Sequence, residues 1–402
     1  MGFPREIGRV WLKEQASGWG VEESSFADAD HISAEAVLPD LVQEELLVPA
    51  FRGGFHAHAI EAGERVGSEL VLTHKFEGLS RATPSANPTA TPVDLCLKSV
   101  LGSQASIGYK AAVASTGQAN NKVTYADGDL ATSWAGMAVL LAVAAAASGR
   151  QFAWAKTITT ASNPDELIPW QNLAGATTNG SASYGAIVSW LSLAQPTPFT
   201  GQVALGQADG GAVFRLRDGV CPSIKMRLVG GQLATARYTI RGGYWSKAGT
   251  WTPGQYAQTY PQLPMLDVAN GARLSYAGSL TTIPEVEIEM SATMEPARGI
   301  GGFAKWKMTN REVKVTSTHI LDDYSDLTAP GTEVTTGLQI DLCTIPGRAA
   351  SAFGPTYQAA AHSKDEAAGG FVVRKNVWKF RIPDTETAGA NASGSPFRFA
   401  RA

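Results

Sequence analysis

Apolar and polar residues alternate with a period of two in several stretches of this chain, and that pattern points to sheets rather than helix bundles. Between Val66 and Gly78, Leu70, Leu72 and Phe76 fall on one face, while Glu69, Thr73, Lys75 and Glu77 fall on the other. A period of two is the side-chain repeat of a strand with one face buried. It returns in Ile224, Met226 and Leu228 against Lys225 and Arg227, and in Ala236, Tyr238 and Ile240 against Thr235, Arg237, Thr239 and Arg241. Gly230-Gly231 between these two runs predicts a hairpin with a two-residue turn. From Pro284 to Met294, Val286, Ile288 and Met290 oppose Glu285, Glu287 and Glu289. The expected fold is mainly β, of sandwich or half-barrel type, with one or more short flanking helices.

One helix is written plainly. Thr91 stands at the N-cap, Pro92 at the first helical position, Asp94 in the first turn and Gly102 after the last residue. Each is the residue type that position favours. Val93, Leu97, Val100 and Leu101 form its apolar stripe. The loop before it, from Arg81 to Pro92, carries Pro84 and Pro88, which remove backbone donors and forbid a ladder.

The remaining chain reads as further strands and breaks. Ala105–Val113 and Gln118–Thr124 form an expected hairpin, Gln151–Thr160 a strand, and Thr177–Ser183 a loop. Tyr184–Leu193 and Gln202–Leu205 are expected strands. The glycine-rich break at Gln207–Gly211 divides the chain into expected domains 1–205 and 206–402. The strands Val66–Gly78 and Leu233–Trp245 echo each other, which is read as a duplication. Ser246–Pro264, with Trp251, Tyr256 and Tyr260, is a long loop of the kind that reaches a partner. Phe303–Met308, Arg311–Thr318, Val334–Thr344 and Phe371–Ile382 are expected strands, Pro355–Glu366 a helical segment, and Asp384–Ala402 a polar tail.

Composition narrows the function. Of 402 residues only 17% are charged, against about 25% in ordinary soluble domains. That fits a surface largely covered by copies of the same chain, and equally a coding bias toward Ala and Gly. The net charge of −3 and the lack of a block of five Lys or Arg argue against a protein that grips phosphates. Cys96, Cys221 and Cys343 have no ligand spacing and read as small buried hydrophobes of a reducing compartment. Met1–Gly8 lacks the apolar core of a signal peptide. The most apolar run, Ala135–Ala147, is shorter than the ~18 residues of a membrane span and reads as a buried helix, or a strand running into one.

Chemical motifs are weak. His56 and His58 share a face but lack further ligands nearby. Gly299-Ile300-Gly301-Gly302-Phe303-Ala304 nearly matches a dinucleotide fingerprint but lies between strands, not before a helix. Asp322, Asp323 and Asp326 read as a solvated loop. No catalytic, metal or cofactor site is expected, and the chain is not read as an enzyme.

The Gly18-Trp19-Gly20-Val21-Glu22 turn, the Arg65–Gly78 strand, the Val93–Leu101 helix, the second-half hairpin and the Pro284–Thr318 strands together resemble the longer, duplicated tail tube proteins of tailed bacteriophages. The alanine-rich run at 135–147 matches no element of that family. The resemblance implies rings of three chains with pseudo-sixfold symmetry, or six chains without a duplication. The rings would stack into a hollow virion tail, assembled in the host cytoplasm, with other tail proteins at its ends. DNA would pass through without sequence-specific binding, and no membrane would be involved. Glu285, Glu287 and Glu289 would line an acidic lumen that repels a polyanion. Pro84, Pro88, Trp251, Tyr256 and Tyr260 would sit on inter-subunit loops, as would the arm before Leu46 and the tail after Asp384. Alternatives are a hub, terminator or decoration protein, or a carbohydrate-binding sandwich using the aromatic loop.

Overall fold

The structure, a computed structural model, describes residues 8–32, 35–36, 45–52, 55–62, 69–79, 83, 85–116, 121–142, 150–161, 164–171, 173, 177–205, 211–230, 232–251, 273–276, 279–281, 285–299, 302–320, 333–334, 337–366, 372–380 and 392–402. The chain is mainly β. Its first strands are β1 (Gly8–Glu14), β2 (His31–Ile32), β3 (Glu35–Ala36), β4 (Glu45–Arg52), β5 (Phe55–Ala62) and β6 (Glu69–Lys75), followed by helix α1 (Pro92–Leu101). Then come β7 (Gly102–Ile107), β8 (Lys110–Thr116), β9 (Lys122–Tyr125), β10 (Ala138–Ala142), β11 (Arg150–Thr159), β12 (Asp165–Pro169), β13 (Thr177–Tyr184), β14 (Ala186–Leu191) and β15 (Phe199–Leu205). The second half holds β16 (Gly211–Val229), β17 (Thr235–Arg241), β18 (Tyr244–Trp251), β19 (Arg273–Tyr276), β20 (Ser279–Thr281), β21 (Glu285–Gly299) and β22 (Gly302–Ile320). It ends with β23 (Glu333–Val334), β24 (Leu338–Cys343), β25 (Ala350–Gly354), β26 (Tyr357–Glu366), β27 (Val372–Phe380) and β28 (Arg398–Arg401).

These strands build three layers. The first is a thirteen-stranded sheet organised on β16, whose N-terminal part pairs with β15 and β18 and whose C-terminal part pairs with β17 and β21. Its apolar face carries Leu70, Leu72, Ile224, Met226, Tyr238, Ile240, Val286, Ile288, Met290 and Val315, all buried. The expected alternation is therefore real in β6, β16, β17 and β21. That face packs on α1 and on the second layer, a sheet ordered β20-β19-β24-β25-β28-β14-β7. The third layer is a closed six-stranded barrel, β10-β11-β12-β9-β8-β13, packed on the other face of the second sheet. Trp154 of the barrel stacks on Phe353 of β25 at 5.2 Å between centroids and donates Nε1–H to Ser351 Oγ at 3.0 Å.

The central strands of the middle layer, β24, β25 and β28, have water on neither face and are buried at every position. A strand buried on both faces need not alternate. That is why the end of the chain, expected as a polar tail at a subunit contact, is instead a central strand: Phe399 packs edge-on to Phe76 toward the first layer, and Arg398 lies over Phe353 toward the barrel.

Helix α1 forms as written. The Thr91 N–H donates to Asp94 Oδ2 at 2.7 Å, and Gly102 stops the helix at φ 108°. At its C-terminus Arg311 of β22 donates to the carbonyls of Val100 (2.8 Å), Ser192 (2.6 Å) and Ser99 (3.3 Å). These include orphan carbonyls that every helix end leaves.

Other expectations need correction. The hairpin of β8 and β9 exists, but Ala105 belongs to β7 in a different sheet. Ala138–Ala142 is strand β10, which agrees with the reading of a strand at the start of this run and not with that of a helix throughout; its partners β11 and β13 bury it in the barrel, and burial on both sides removes the alternation that marks a strand. Thr177–Ser183 is strand, not loop. Its small polar residues carry no hydrophobic signal, yet Ser183 is fully buried and hydrogen-bonds Tyr125 Oη at 2.9 Å. Residues 357–366 are strand β26, where pairing along β27 overrides helical propensity. Glu77 is buried rather than solvent-facing, because β6 ends at Lys75 and the chain turns inward toward α1.

The two echoing strands, β6 and β17, are direct antiparallel neighbours, with Leu72 opposite Tyr238. They do not open two separate units. The division at 205/206 falls between β15 and β16, which pair with each other, and the first two layers each draw strands from both halves. The part set off from the rest is the barrel. The chain leaves the middle sheet after Ile107 and returns at Ala186, and these two residues are paired. The barrel, alanine-rich strand included, is thus an insertion between adjacent strands.

Candidate functional site

The surface that could serve assembly is the solvent face of β6-β17-β16-β21-β22-β27-β26, seven consecutive strands of the first layer. Residues opposite one another in antiparallel strands share a face, so register builds this surface row by row. Through Glu289 the row reads Thr73, Arg237, Lys225, Glu289, Lys314, Lys379. Through Glu287 it reads Lys75, Thr235, Arg227, Glu287, Thr316, Val377, and through Glu285 it reads Val229, Glu285, Thr318, Lys375.

The three glutamates lie where alternation put them, half-buried on the polar face. They do not form an isolated acidic stripe. Arg227 Nε sits 2.6 Å from Glu285 Oε1, Lys225 Nζ sits 2.9 Å from Glu287 Oε1, and Glu289 lies between Lys225 and Lys314. Arg241 pairs with Glu69 further along. With the Arg227 side chain 60% exposed, such pairs add at most ~1 kcal/mol of stability. Their effect is to cancel charge. The expectation of an acidic wall is corrected accordingly: in these three rows seven basic residues (Lys75, Arg227, Lys375, Arg237, Lys225, Lys314, Lys379) stand against three acidic ones. The basic stripe that the sequence seemed to lack runs across the strands, from positions 225, 237, 314 and 379, and no linear scan could find it. A two-residue Gly230-Gly231 turn would have placed Lys225 opposite Ala236; the observed register sets it opposite Arg237, so the hairpin is real but its connection is longer than two residues, and nothing local announces the pairing with β21.

Among the described residues, both outer strands of this surface are largely open. Among the described residues, β6 has an outer neighbour only at Leu72 and Thr73, opposite the two-residue β3. Strand β26 has one only at Tyr357 and Gln358, opposite the two-residue β23. Unpaired edges are ready templates for another chain.

The loop residues fare differently. Pro88 is half-buried in a segment held to its own chain, since Asn87 Oδ1 accepts the Tyr109 N–H at 2.9 Å. Trp251 ends β18 opposite Gly211. Pro84, Tyr256, Tyr260 and Asp322, Asp323 and Asp326 lie outside the described residues. None of the three cysteines is in a disulfide, and all are buried. No helix among the described residues is long and apolar enough to cross a membrane.

A scan against protein-family models finds no match to this chain, and a search of curated proteins finds none either.

Proposed function

We propose that the chain is a structural protein that joins copies of itself edge to edge into a ring, and that the rings stack into the hollow tail tube of a bacteriophage, through which DNA passes. The observation that carries this reading is the run of seven neighbouring strands, packed on one face, polar on the other and, among the described residues, largely open at both ends. Natural proteins normally cover or blunt such edges. Long edges left open on opposite sides of one sheet let each copy continue the sheet of the next, a head-to-tail contact that closes by rotation. The polar face would then line the channel, and the insertion barrel, two layers away, would face outward. Because β6 and β17 sit in one sheet, each chain supplies one wall segment, which favours six chains per ring over three. The assembled protein would reside in the virion tail, made in the host cytoplasm and joined by other tail proteins.

Purified full-length protein carrying Lys75→Cys on β6, beyond the part covered by β3, and Ser363→Cys on β26 tests the joint. A short bis-maleimide should give a ladder of cross-linked oligomers ending at six, and negative-stain images should show rings or tubes. Monodisperse single chains with no intermolecular cross-link would overturn the proposal.

A further inference from the structure

The first-layer sheet holds an arrangement that fold stability does not explain. Lys225 stands directly opposite Arg237, and Lys314 directly opposite Lys379. Like charges directly opposed across strands are destabilising. All four are exposed; one carboxylate, Glu289, separates the two pairs, and a second, Glu287, takes Lys225 Nζ at 2.9 Å, so the positive excess comes from Arg237, Lys314 and Lys379 together with the flanking Lys75 and Lys375. Neighbouring strands lie about 4.8 Å apart, so this single row runs roughly 19 Å across the sheet. The rows on either side mix short hydroxyl side chains, Thr235, Thr316, Thr239, Ser223 and Ser291, with further charges, Lys75, Arg227, Glu287 and Glu312. The local excess of positive charge contrasts with a net charge of −3 for the whole chain.

We infer that this face, centred on Arg237, Lys225, Lys314 and Lys379, binds the phosphate backbone of nucleic acid without reading its sequence. The geometry selects the occupant's chemistry. A row this long on an open sheet face suits an extended string of anions better than a single phosphate. Its basic groups are lysines and an arginine with no aromatic platform among them, so they offer phosphate contacts and no base stacking. An anion in place relieves the repulsion of both opposed pairs. The inference concerns one sheet face of one chain and does not depend on a ring.

The test uses full-length protein and a fluorescein-labelled 30-base-pair duplex of arbitrary sequence, read by anisotropy from 50 to 300 mM NaCl. Binding should weaken linearly on a log–log plot of affinity against salt and be indifferent to sequence, as phosphate contacts require. The double variant Lys314→Glu, Lys379→Glu should lose at least about tenfold in affinity at 50 mM NaCl and reduce the salt slope by about 2. The Gln counterparts should lose less, with Tm unchanged or raised because opposed cations are gone. Three results would overturn the inference: no salt-dependent binding, a double variant that binds as tightly as the parent, or equal binding to polyglutamate of matching charge or to phosphatidylserine vesicles.

Discussion

Arg401, one residue from the end of the chain, sits with its Nη1 2.7 Å from Oδ1 of Asp94 in the first turn of α1, and both side chains are 1% exposed. The contact is an ion pair, not an aligned hydrogen bond; Nη1 donates to Thr91 Oγ1 at 2.9 Å, and Nη2 donates to the Glu77 and Gly78 carbonyls. The guanidinium also lies over the Phe76 ring. One side chain thus ties the last strand, the helix N-terminus and the end of β6.

Removing one partner of a buried pair strands the other. Arg401→Leu should cost about 3–5 kcal/mol, and Asp94→Leu a similar amount. The double variant should lose less than the sum, because no lone charge remains. Urea unfolding of the three variants measures this. Additive losses would show that the two residues act separately.

A second site of fixed geometry is the helix C-terminus. A Cβ at Gly102 would lie 2.5 Å from Ser192 Oγ and 2.8 Å from Arg311 Nη1, at a φ of 108° that other residues avoid. Gly102→Ala should therefore cost more than the ~1–3 kcal/mol of backbone strain alone, since it also displaces the guanidinium from its carbonyls. Burial already holds the Arg311 pKa down to about 10. Arg311→Met should lower Tm comparably by orphaning the carbonyls of Ser99, Val100 and Ser192. Wild-type Tm in either variant would refute the cap.

The edge of the first layer should respond to acid. His31 in β2 packs edge-on to Trp11 at 5.6 Å, and burial, then the nearby Arg9 charge, lowers its pKa below 6.5, with Asp28 opposing. The unfolded chain then binds more protons than the folded one between the two pKa values. Stability is fully present above pH 6.5 and declines as pH falls through that window. His31→Phe keeps an aromatic ring but cannot titrate, so its Tm should fall less between pH 7.5 and 5.5. Identical pH slopes would remove His31 as the cause.

The sequence by itself determined the local elements whose signals are local. Thr91, Pro92, Asp94 and Gly102 specify α1 through caps and φ preferences within one turn. Alternation specified β6, β16, β17 and β21, because each has water on one face and core on the other. Tertiary structure decided everything that depends on what lies opposite. Strands β24, β25 and β28 are covered on both faces and carry no periodic mark, so Arg398–Arg401 read as part of a tail. For the same reason the run holding strand β10 left helix and strand both open. The likeness of β6 and β17 was legible, but their being neighbours was not, because two strands of equal pattern can lie in one sheet or in two. The charged face shows the same limit. Glu285, Glu287 and Glu289 are an acidic row along their own strand, yet the sign of the surface is set across strands by Lys225, Arg227, Arg237, Lys314 and Lys379. Charge adds over distances of a few ångströms in space, and only strand register brings Lys225 beside Glu289 and Lys314 beside Lys379, residues far apart along the chain.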